Sequence, residues 1–307
     1  MYVPCMKKPF LFLAFSLATV AMASAAPLKI VASFLPLYAH VKTIGGDRVE
    51  VVCLARNGVD PHDFAPKPSD LKAIAGADLL VVNGLGMESW LDGVIKEAAS
   101  TKLVFVDSSW GIAPKHNPTY VKVPGLPKGE DQDVNGVNPH AWLDPVLAQQ
   151  QVRTILAMMD KFDPADAPYF DANAKAYLAQ IAALDVDFLS LFTTLSAGSM
   201  NLVTFHDAFP YFAARYGLNY LGSIEEFPEK APSPQALAHL VDLIKAHHVK
   251  VLFAEKGYEP KLLRTIAEQT GATVAELDTI EVGEPVADAY LVRMQANLDA
   301  LRKAWSN

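Results

Sequence analysis

Short runs of β-branched and aliphatic residues alternate with stretches of helical period along most of the chain. In the first half, four such runs predict strands at Leu28–Ala32, Val49–Leu54, Asp78–Asn83 and Leu103–Val106. The intervening pattern predicts a helix that ends at Gly45-Gly46, one that begins near Ser69 and one from Glu88 to Ala99. This alternation is typical of α/β folds with mainly parallel sheets and predicts a first lobe over residues 26–145.

The same alternation returns in the C-terminal third of the chain. Strands are predicted at Asn201–Phe205, Asn219–Gly222, Val249–Ala254 and Thr273–Leu277. The helices predicted at Ala208–Tyr216 and Pro260–Thr270 each stop at a glycine, as helices with left-handed caps do. We therefore expect a second lobe over residues 199–307 that also contains a mainly parallel, four-stranded sheet flanked by helices.

Residues 146–198 predict a helical linker between the two lobes. Asp163-Pro164 is a strong start signal, and apolar residues then recur at helical spacing to Leu195. A helix from Pro164 to Ser196 would be roughly 50 Å long, enough to span a molecule of this size. We expect this helix to join the lobes rigidly and to allow only small ligand-linked motions.

The first 25 residues have the pattern of a secretory signal peptide. Lys7 and Lys8 precede an apolar run from Phe10 to Met22, and Ala23-Ser24-Ala25 forms a cleavage site. The apolar run is shorter than the roughly 20 residues that a helix needs to span a bilayer. We expect cleavage after Ala25 and a soluble, monomeric product in the periplasm.

The net charge limits the possible partners of the mature chain, and its cysteine content limits the possible disulfides. Loss of the signal leaves 24 basic and 34 acidic residues, a net charge of −10 with histidine neutral, which disfavours nucleic acid as a partner. It also removes Cys5, so no internal disulfide can form in the mature chain. The apolar run around the remaining cysteine, Cys53, predicts a buried position in a strand.

Three of the eight histidines lie on connections between a predicted strand and the next helix. They are His62 in Asp60-Pro61-His62, His140 in Asn138-Pro139-His140 and His206 in Phe205-His206-Asp207. Asp278 directly follows the last predicted strand. In open α/β sheets such connections lie beyond the carboxyl ends of the strands, where ligands bind. We predict that these four side chains, from both lobes, face one crevice.

Three imidazoles and one carboxylate suit a four-coordinate transition metal such as Zn²⁺. The proline before each of His62 and His140 restricts the backbone and lowers the ordering cost of binding. Glu255, at the end of a strand, is predicted to orient a ligand imidazole or to act as an extra ligand, with a plain surface charge as the alternative. The other histidines are predicted to be surface or half-buried residues without a role: His40, His116, His239, His247 and His248.

These segments resemble the periplasmic solute-binding proteins of zinc and manganese ABC importers, the cluster A-I family. The resemblance rests on Gly58–Asp70, Asn138–Pro145, Thr204–Phe209, Phe253–Glu255 and Leu277-Asp278, which follow the family's order along the mature chain. It implies two α/β lobes bridged by a rigid helix, with the metal held by the residues that match His62, His140, His206 and Asp278. It also implies an ABC permease and an ATPase as partners.

The identity of the metal is open between Zn²⁺ and harder ions. Manganese members of the family often place a carboxylate at the position of His206, so an imidazole there favours Zn²⁺ over Mn²⁺ or iron. Many zinc members carry a loop dense in histidine, whereas the loop predicted from Gly111 to Asn138 holds only His116, Glu130, Asp131 and Asp133 as comparable groups.

Two alternatives come from other classes of protein. A secreted zinc hydrolase would need a general base, a role for Glu255, but the chain lacks an HExxH motif. An adhesin or scaffold with a structural metal would unfold when the metal is removed.

Overall fold

The computed structural model describes residues 26–305 apart from 57, 99, 101, 116–136, 196–199, 226–233 and 257–260. The predicted signal peptide, His116 and the acidic residues of the predicted 111–138 loop therefore lie outside the described residues. Within the described ranges the chain forms two separate sheets, each of four parallel strands.

The N-terminal sheet has the strand order β2-β1-β3-β4. Its strands are β1 (Leu28–Ala32), β2 (Val49–Cys53), β3 (Leu79–Val82) and β4 (Val104–Asp107). The helices are α1 (Leu35–Gly45), α2 (Pro68–Gly76) and α3 (Leu91–Ala98). Helix α3 begins later than predicted because the carboxylate of Glu88 accepts hydrogen bonds from the backbone N–H groups of Asn83 and Gly84, which keeps Glu88 in the turn before the helix.

The C-terminal sheet has the equivalent strand order, β6-β5-β7-β8. Its strands are β5 (Asn201–His206), β6 (Asn219–Glu225), β7 (Val251–Glu255) and β8 (Thr273–Leu277). The helices are α6 (Pro210–Tyr216), α7 (Pro234–Ala246), α8 (Lys261–Thr270) and α9 (Ala289–Trp305). In each sheet the order reverses beside the first strand of the lobe, and a reversal of this kind creates a crevice at the carboxyl ends of the strands. The prediction of two lobes with parallel four-stranded sheets is confirmed.

Two long helices, α4 (Pro145–Phe162) and α5 (Ala167–Thr193), connect the sheets. The sequence pattern did not single out α4, although Asp144 is a clear start signal, since its Oδ1 accepts a hydrogen bond from Val146 N at 2.8 Å. Helix α5 has 27 residues and is therefore about 40 Å long, shorter than predicted. It begins only after a turn in which Asp166 N donates to Asp163 Oδ1.

Helix α5 contacts both lobes. Asn173 Nδ2 donates to Ile44 O of α1 at 2.9 Å. Nearer the other end of α5, the Phe188 and Phe192 rings lie 5.1 and 5.9 Å from the Phe212 ring of α6. By length and composition α5 could cross a bilayer, but Phe188 and Phe192 are buried in a core shared by the two lobes. The prediction that one long helix links the lobes is confirmed.

The lobes also meet directly through buried side chains. Trp142 precedes α4, and its Nε1 donates to Thr279 O in the connection between β8 and α9 at 2.8 Å. Tyr290 OH of α9 donates back to Trp142 O at 2.8 Å. Because Trp142 and Tyr290 are fully buried in one apolar cluster, the lobes are held at a packed interface as well as by α5.

His40 and Cys53, for which the sequence predicts no functional role, are buried in the first lobe. His40 differs from its prediction as a surface or half-buried residue: its Nδ1 lies 2.9 Å from Tyr177 OH of α5, and burial lowers its pKa to about 3. Cys53 is buried, as predicted, and burial raises the pKa of its thiol to about 12. Neither group is charged near neutral pH.

An ion pair between α5 and α6 allows a test of how α5 is held against the C-terminal lobe. Arg215 Nε and Nη2 donate to the two carboxylate oxygens of Asp185 at 3.1 and 2.6 Å, and Tyr216 OH donates to the same carboxylate at 2.9 Å. Asp185→Asn should lower the free energy of unfolding of the metal-free protein by about 1–3 kcal/mol, because Arg215 and Tyr216 lose a charged acceptor. Urea denaturation measures the change.

The matched control is Asp187→Asn, which removes the same charge from an exposed position of the same helix. It should change the free energy of unfolding by less than about 0.5 kcal/mol. Equal losses in both variants would show that the net charge of α5 matters and the buried ion pair does not.

Candidate metal centre

The three histidines singled out by the sequence lie at the carboxyl edges of the two sheets. His62 follows β2, His140 precedes the short turn that leads into α4, and His206 is the last residue of β5. Each ring is buried, with 7%, 2% and 2% of the residue surface exposed. The first two come from the N-terminal lobe and the third from the C-terminal lobe, so the rings meet between the sheets.

Two of the histidines are held by the same local device. His62 N donates to Asp60 Oδ1 at 2.8 Å, and His140 N donates to Asn138 Oδ1 at 3.0 Å. These are Asx turns, in which a side-chain oxygen binds the backbone two residues further on. In the second turn His140 Nδ1 also lies 2.9 Å from Asn138 Oδ1. A proton on Nδ1 satisfies this contact and leaves the lone pair on Nε2, the atom that faces the other imidazoles.

A buried carboxylate, that of Glu281, joins the three imidazoles. One ligand atom from each of His62, His140, His206 and Glu281 lies within 4.8 Å of the others. His62 Nε2 is 3.3 Å from His140 Nε2, and Glu281 Oε1 is 3.3 Å from the first and 2.8 Å from the second. In a tetrahedral zinc site with bonds of 2.0–2.1 Å, neighbouring ligands are about 3.3 Å apart. The donor types of all four residues, and the spacing of His62, His140 and Glu281, therefore fit a zinc ion.

The structure does not bring Asp278 into this group. Its carboxylate instead accepts hydrogen bonds from Arg293 Nε at 2.5 Å and from Arg293 Nη2, and Lys256 Nζ lies 3.4 Å away. A carboxylate held by two cations is a poor candidate for binding a third. Glu281, three residues further along the same connection, is the acid that faces the imidazoles, and the sequence analysis missed it.

Glu255 lies behind His206. Its Oε2 is 3.3 Å from His206 Nδ1, and its Oε1 accepts a hydrogen bond from Thr279 Oγ1 at 2.7 Å. Neither Oε2 nor His206 Nδ1 has a partner of good hydrogen-bond geometry among the described residues, although both are buried. The carboxylate of Glu255 therefore interacts with the His206 ring as an ion pair at 3.3 Å.

Burial and mutual attraction set the protonation of the cluster. Burial lowers the pKa of His140 to about 3, against the attraction of Glu281. Burial would also lower the pKa of His206, but the carboxylates of Glu255 and Glu281 outweigh it and raise the pKa to about 9. Burial would raise the pKa of Glu281, but His140 and His206 hold it well below its usual range. At neutral pH His140 is thus a neutral imidazole and His206 a protonated one, both beside the ionised carboxylate of Glu281, and a metal that binds His206 must displace its proton.

A buried polar network supports His140 from the N-terminal sheet. Asn83, just after β3, donates from Nδ2 to Pro139 O at 2.9 Å, and Gln151 of α4 donates to Asn83 Oδ1 at 2.9 Å. Glu88 accepts from Asn83 N at 2.7 Å, and burial raises its pKa to about 7. The segment that carries His140 is therefore fixed from β3 and α4 as well as by its own turn.

Comparison with known proteins identifies the family. Residues 30–304 match the family model described as the zinc-uptake complex component A, periplasmic. The chain belongs to this family. The match covers both lobes and all four residues of the candidate centre, and it confirms the resemblance to metal-binding solute-binding proteins.

The relatives and solved structures to which the chain is similar differ in the metal that their names record. The high-affinity zinc uptake system protein ZnuA of Bacillus subtilis is 35% identical over 290 residues, which cover 90% of this chain and 86% of the relative. The manganese-binding lipoprotein MntA of Halalkalibacterium halodurans is 30% identical over 275 residues, which cover 89% and 86%. The structure of FpvC of Pseudomonas aeruginosa with Ni²⁺ has a TM-score of 0.78 at 28% identity and covers 91% of this chain and 97% of that one.

The choice between Asp278 and Glu281, both on the β8–α9 connection, can be tested directly. Glu281→Gln should lower zinc affinity by more than about 100-fold, since it removes the one carboxylate of the group, whereas loss of an outer hydrogen-bond partner costs 10–100-fold. Competition with a chromophoric zinc chelator measures the dissociation constant.

Glu276→Gln is the control, because it removes the same charge from an exposed position on β8. It should leave zinc affinity within about twofold of the parent. Tight zinc binding by Glu281→Gln would remove Glu281 from the centre.

Proposed function

We propose that the protein captures Zn²⁺ outside the cytoplasmic membrane and delivers it to an ABC importer. The observation that carries this proposal is the convergence of three buried imidazoles and one buried carboxylate between the lobes of a chain that belongs to a periplasmic zinc-uptake family. The zinc ion is the cargo of this centre. The partners are then the metal ion and a membrane permease with its ATPase.

In this proposal His62, His140, His206 and Glu281 are the ligands. Glu281 takes the place that the sequence analysis gave to Asp278, and Glu255 orients the ring of His206. Donors from both lobes support a role in capture, because an ion that enters the crevice can contact each lobe without changing the core of either one.

The donor set favours zinc among the metals that relatives are named for. Three nitrogens and one carboxylate make a nitrogen-rich site, and imidazole suits zinc, whereas Mn²⁺ prefers carboxylates, carbonyls and water. Manganese or iron transport is the second candidate, supported by the likeness to a manganese-binding lipoprotein. The imidazole of His206 is the feature of this chain that counts against manganese.

Two further expectations complete the proposal. We propose export to the periplasm through the signal pattern of residues 1–25 and action as a monomer, in keeping with the periplasmic name of the family. We also propose that the protein is not a hydrolase. Glu255, which a hydrolase would need as a general base, is 5% exposed and contacts His206 and Thr279.

Metal selection can be tested on protein isolated from the periplasm without added metals. Mass spectrometry of the metal content should find close to one zinc per chain and little manganese or iron. His140→Ala should lose most of this zinc, because a site with three ligands binds more weakly. His247→Ala, at an exposed position of the C-terminal lobe, should retain it. Manganese or iron in place of zinc would overturn the choice of cargo.

Removal of the metal should leave the fold intact. None of the four proposed ligands is part of the apolar core that joins the lobes within the described residues, so the chelated protein should keep its circular dichroism spectrum. Zinc at 100 times its dissociation constant should add about 2.7 kcal/mol of stability and raise the Tm by about 5–10 °C. Unfolding on chelation would instead support a scaffold with a structural metal.

A further inference from the structure

The connection between β8 and α9 has an unfavourable backbone conformation directly before Glu281. Ile280, the residue before it, has a φ of +66°. This left-handed region is rarely adopted by residues with a β-branched side chain, because Cβ approaches the following carbonyl oxygen. A backbone of this kind persists only where surrounding contacts impose it.

One side chain of α9 contacts the connection on both sides of Glu281. Arg293 donates from Nε and Nη2 to the carboxylate of Asp278 and from Nη1 to Val282 O at 2.8 Å. Asp278 Oδ1 in turn accepts a hydrogen bond from Ile280 N at 2.8 Å. The guanidinium group, 15% exposed, thus ties the residues before and after Glu281 to one point on a helix.

The sequence leaves room for this contact. A Cβ atom at Gly283 would lie 2.7 Å from Arg293 Nη1. Glycine is therefore the residue that lets the guanidinium approach the backbone beside Val282.

The start of the connection is held independently of Arg293. Asn297 Oδ1 accepts from Asp278 N at 2.8 Å, and Asn297 Nδ2 donates to Asp278 O at 2.7 Å. Trp142 fixes Thr279 O from the other lobe. Loss of Arg293 would therefore release the segment around Glu281 and leave the end of β8 in place.

We propose that Arg293 is a positioning residue for metal capture, which holds the carboxylate of Glu281 in place before the ion arrives. This inference rests on the proposed function. A ligand that is already ordered does not lose conformational freedom on binding. The contacts of Arg293 therefore lower the entropic cost of binding and increase the affinity for the metal. Asp278, predicted as a ligand, acts in this arrangement as the anchor of the guanidinium group.

A double-mutant cycle tests whether Arg293 acts through Glu281. Arg293→Gln should raise the dissociation constant for zinc by roughly 10–100-fold, as loss of a ligand-orienting partner does. In a Glu281→Gln background the same substitution should change the constant by no more than about twofold, because no carboxylate is left to position. Arg302→Gln, which breaks an exposed ion pair of α9 with Asp299, should bind zinc like the parent.

Each outcome decides the proposal. Equal losses in both backgrounds would show that Arg293 acts through the general stability of α9, and the proposal would fail. If Glu281→Gln alone bound zinc normally, the proposed ligand set would fail first, and the role of Arg293 with it. If zinc binding falls only where Glu281 is intact, the positioning role stands.

A second variant covers the case in which Arg293→Gln does not fold. Asp278→Asn retains an oxygen that can accept from Ile280 N but removes the charge that anchors the guanidinium. It should weaken zinc binding in the same direction, again only where Glu281 is intact. Unchanged zinc affinity in a folded Asp278→Asn protein would overturn the proposal.

Discussion

The burial of four polar, metal-binding side chains between two sheets is the constraint on which the rest of this structure depends. Imidazoles and carboxylates lose solvation in such a place, and each needs a partner to offset the cost. The protein provides partners from every side, including Asn138 for His140, Glu255 for His206 and the imidazoles themselves for Glu281. The groups that partner these four side chains also fix their positions, so a metal ion meets a site that is already assembled.

The two lobes reach this result by different means. In the N-terminal lobe His62 and His140 each lie two residues after an Asp or Asn whose side chain closes a turn on them, so these two rings are ordered locally. In the C-terminal lobe Glu281 is ordered by Arg293, a residue of the following helix. The turns that order His62 and His140 can be predicted from a short segment of sequence. The contact of Arg293 depends on how α9 packs against the end of β8.

This difference explains which parts of the site could be predicted. The strand ends and the Asp-Pro-His and Asn-Pro-His segments place His62 and His140 by local rules, and the alternation of strands and helices predicts both sheets. Nothing local separates Asp278 from Glu281, because both are acids on one connection. Only the contact with Arg293, fifteen residues beyond Asp278, decides which of them is free to face the imidazoles. His40 was misplaced for a similar reason, since the α5 residue that covers it lies 137 positions away.

The buried thiol of Cys53 affects which metal ions the protein can bind. With a pKa near 12 the sulfur stays protonated, and a protonated thiol is a weak ligand and a slow nucleophile. Among the described residues Cys53 is the one cysteine, and its protonated thiol does not compete with the imidazoles for a thiophilic ion such as copper. In an oxidising compartment the same burial prevents Cys53 from cross-linking to a second copy, so this thiol is chemically silent on both counts.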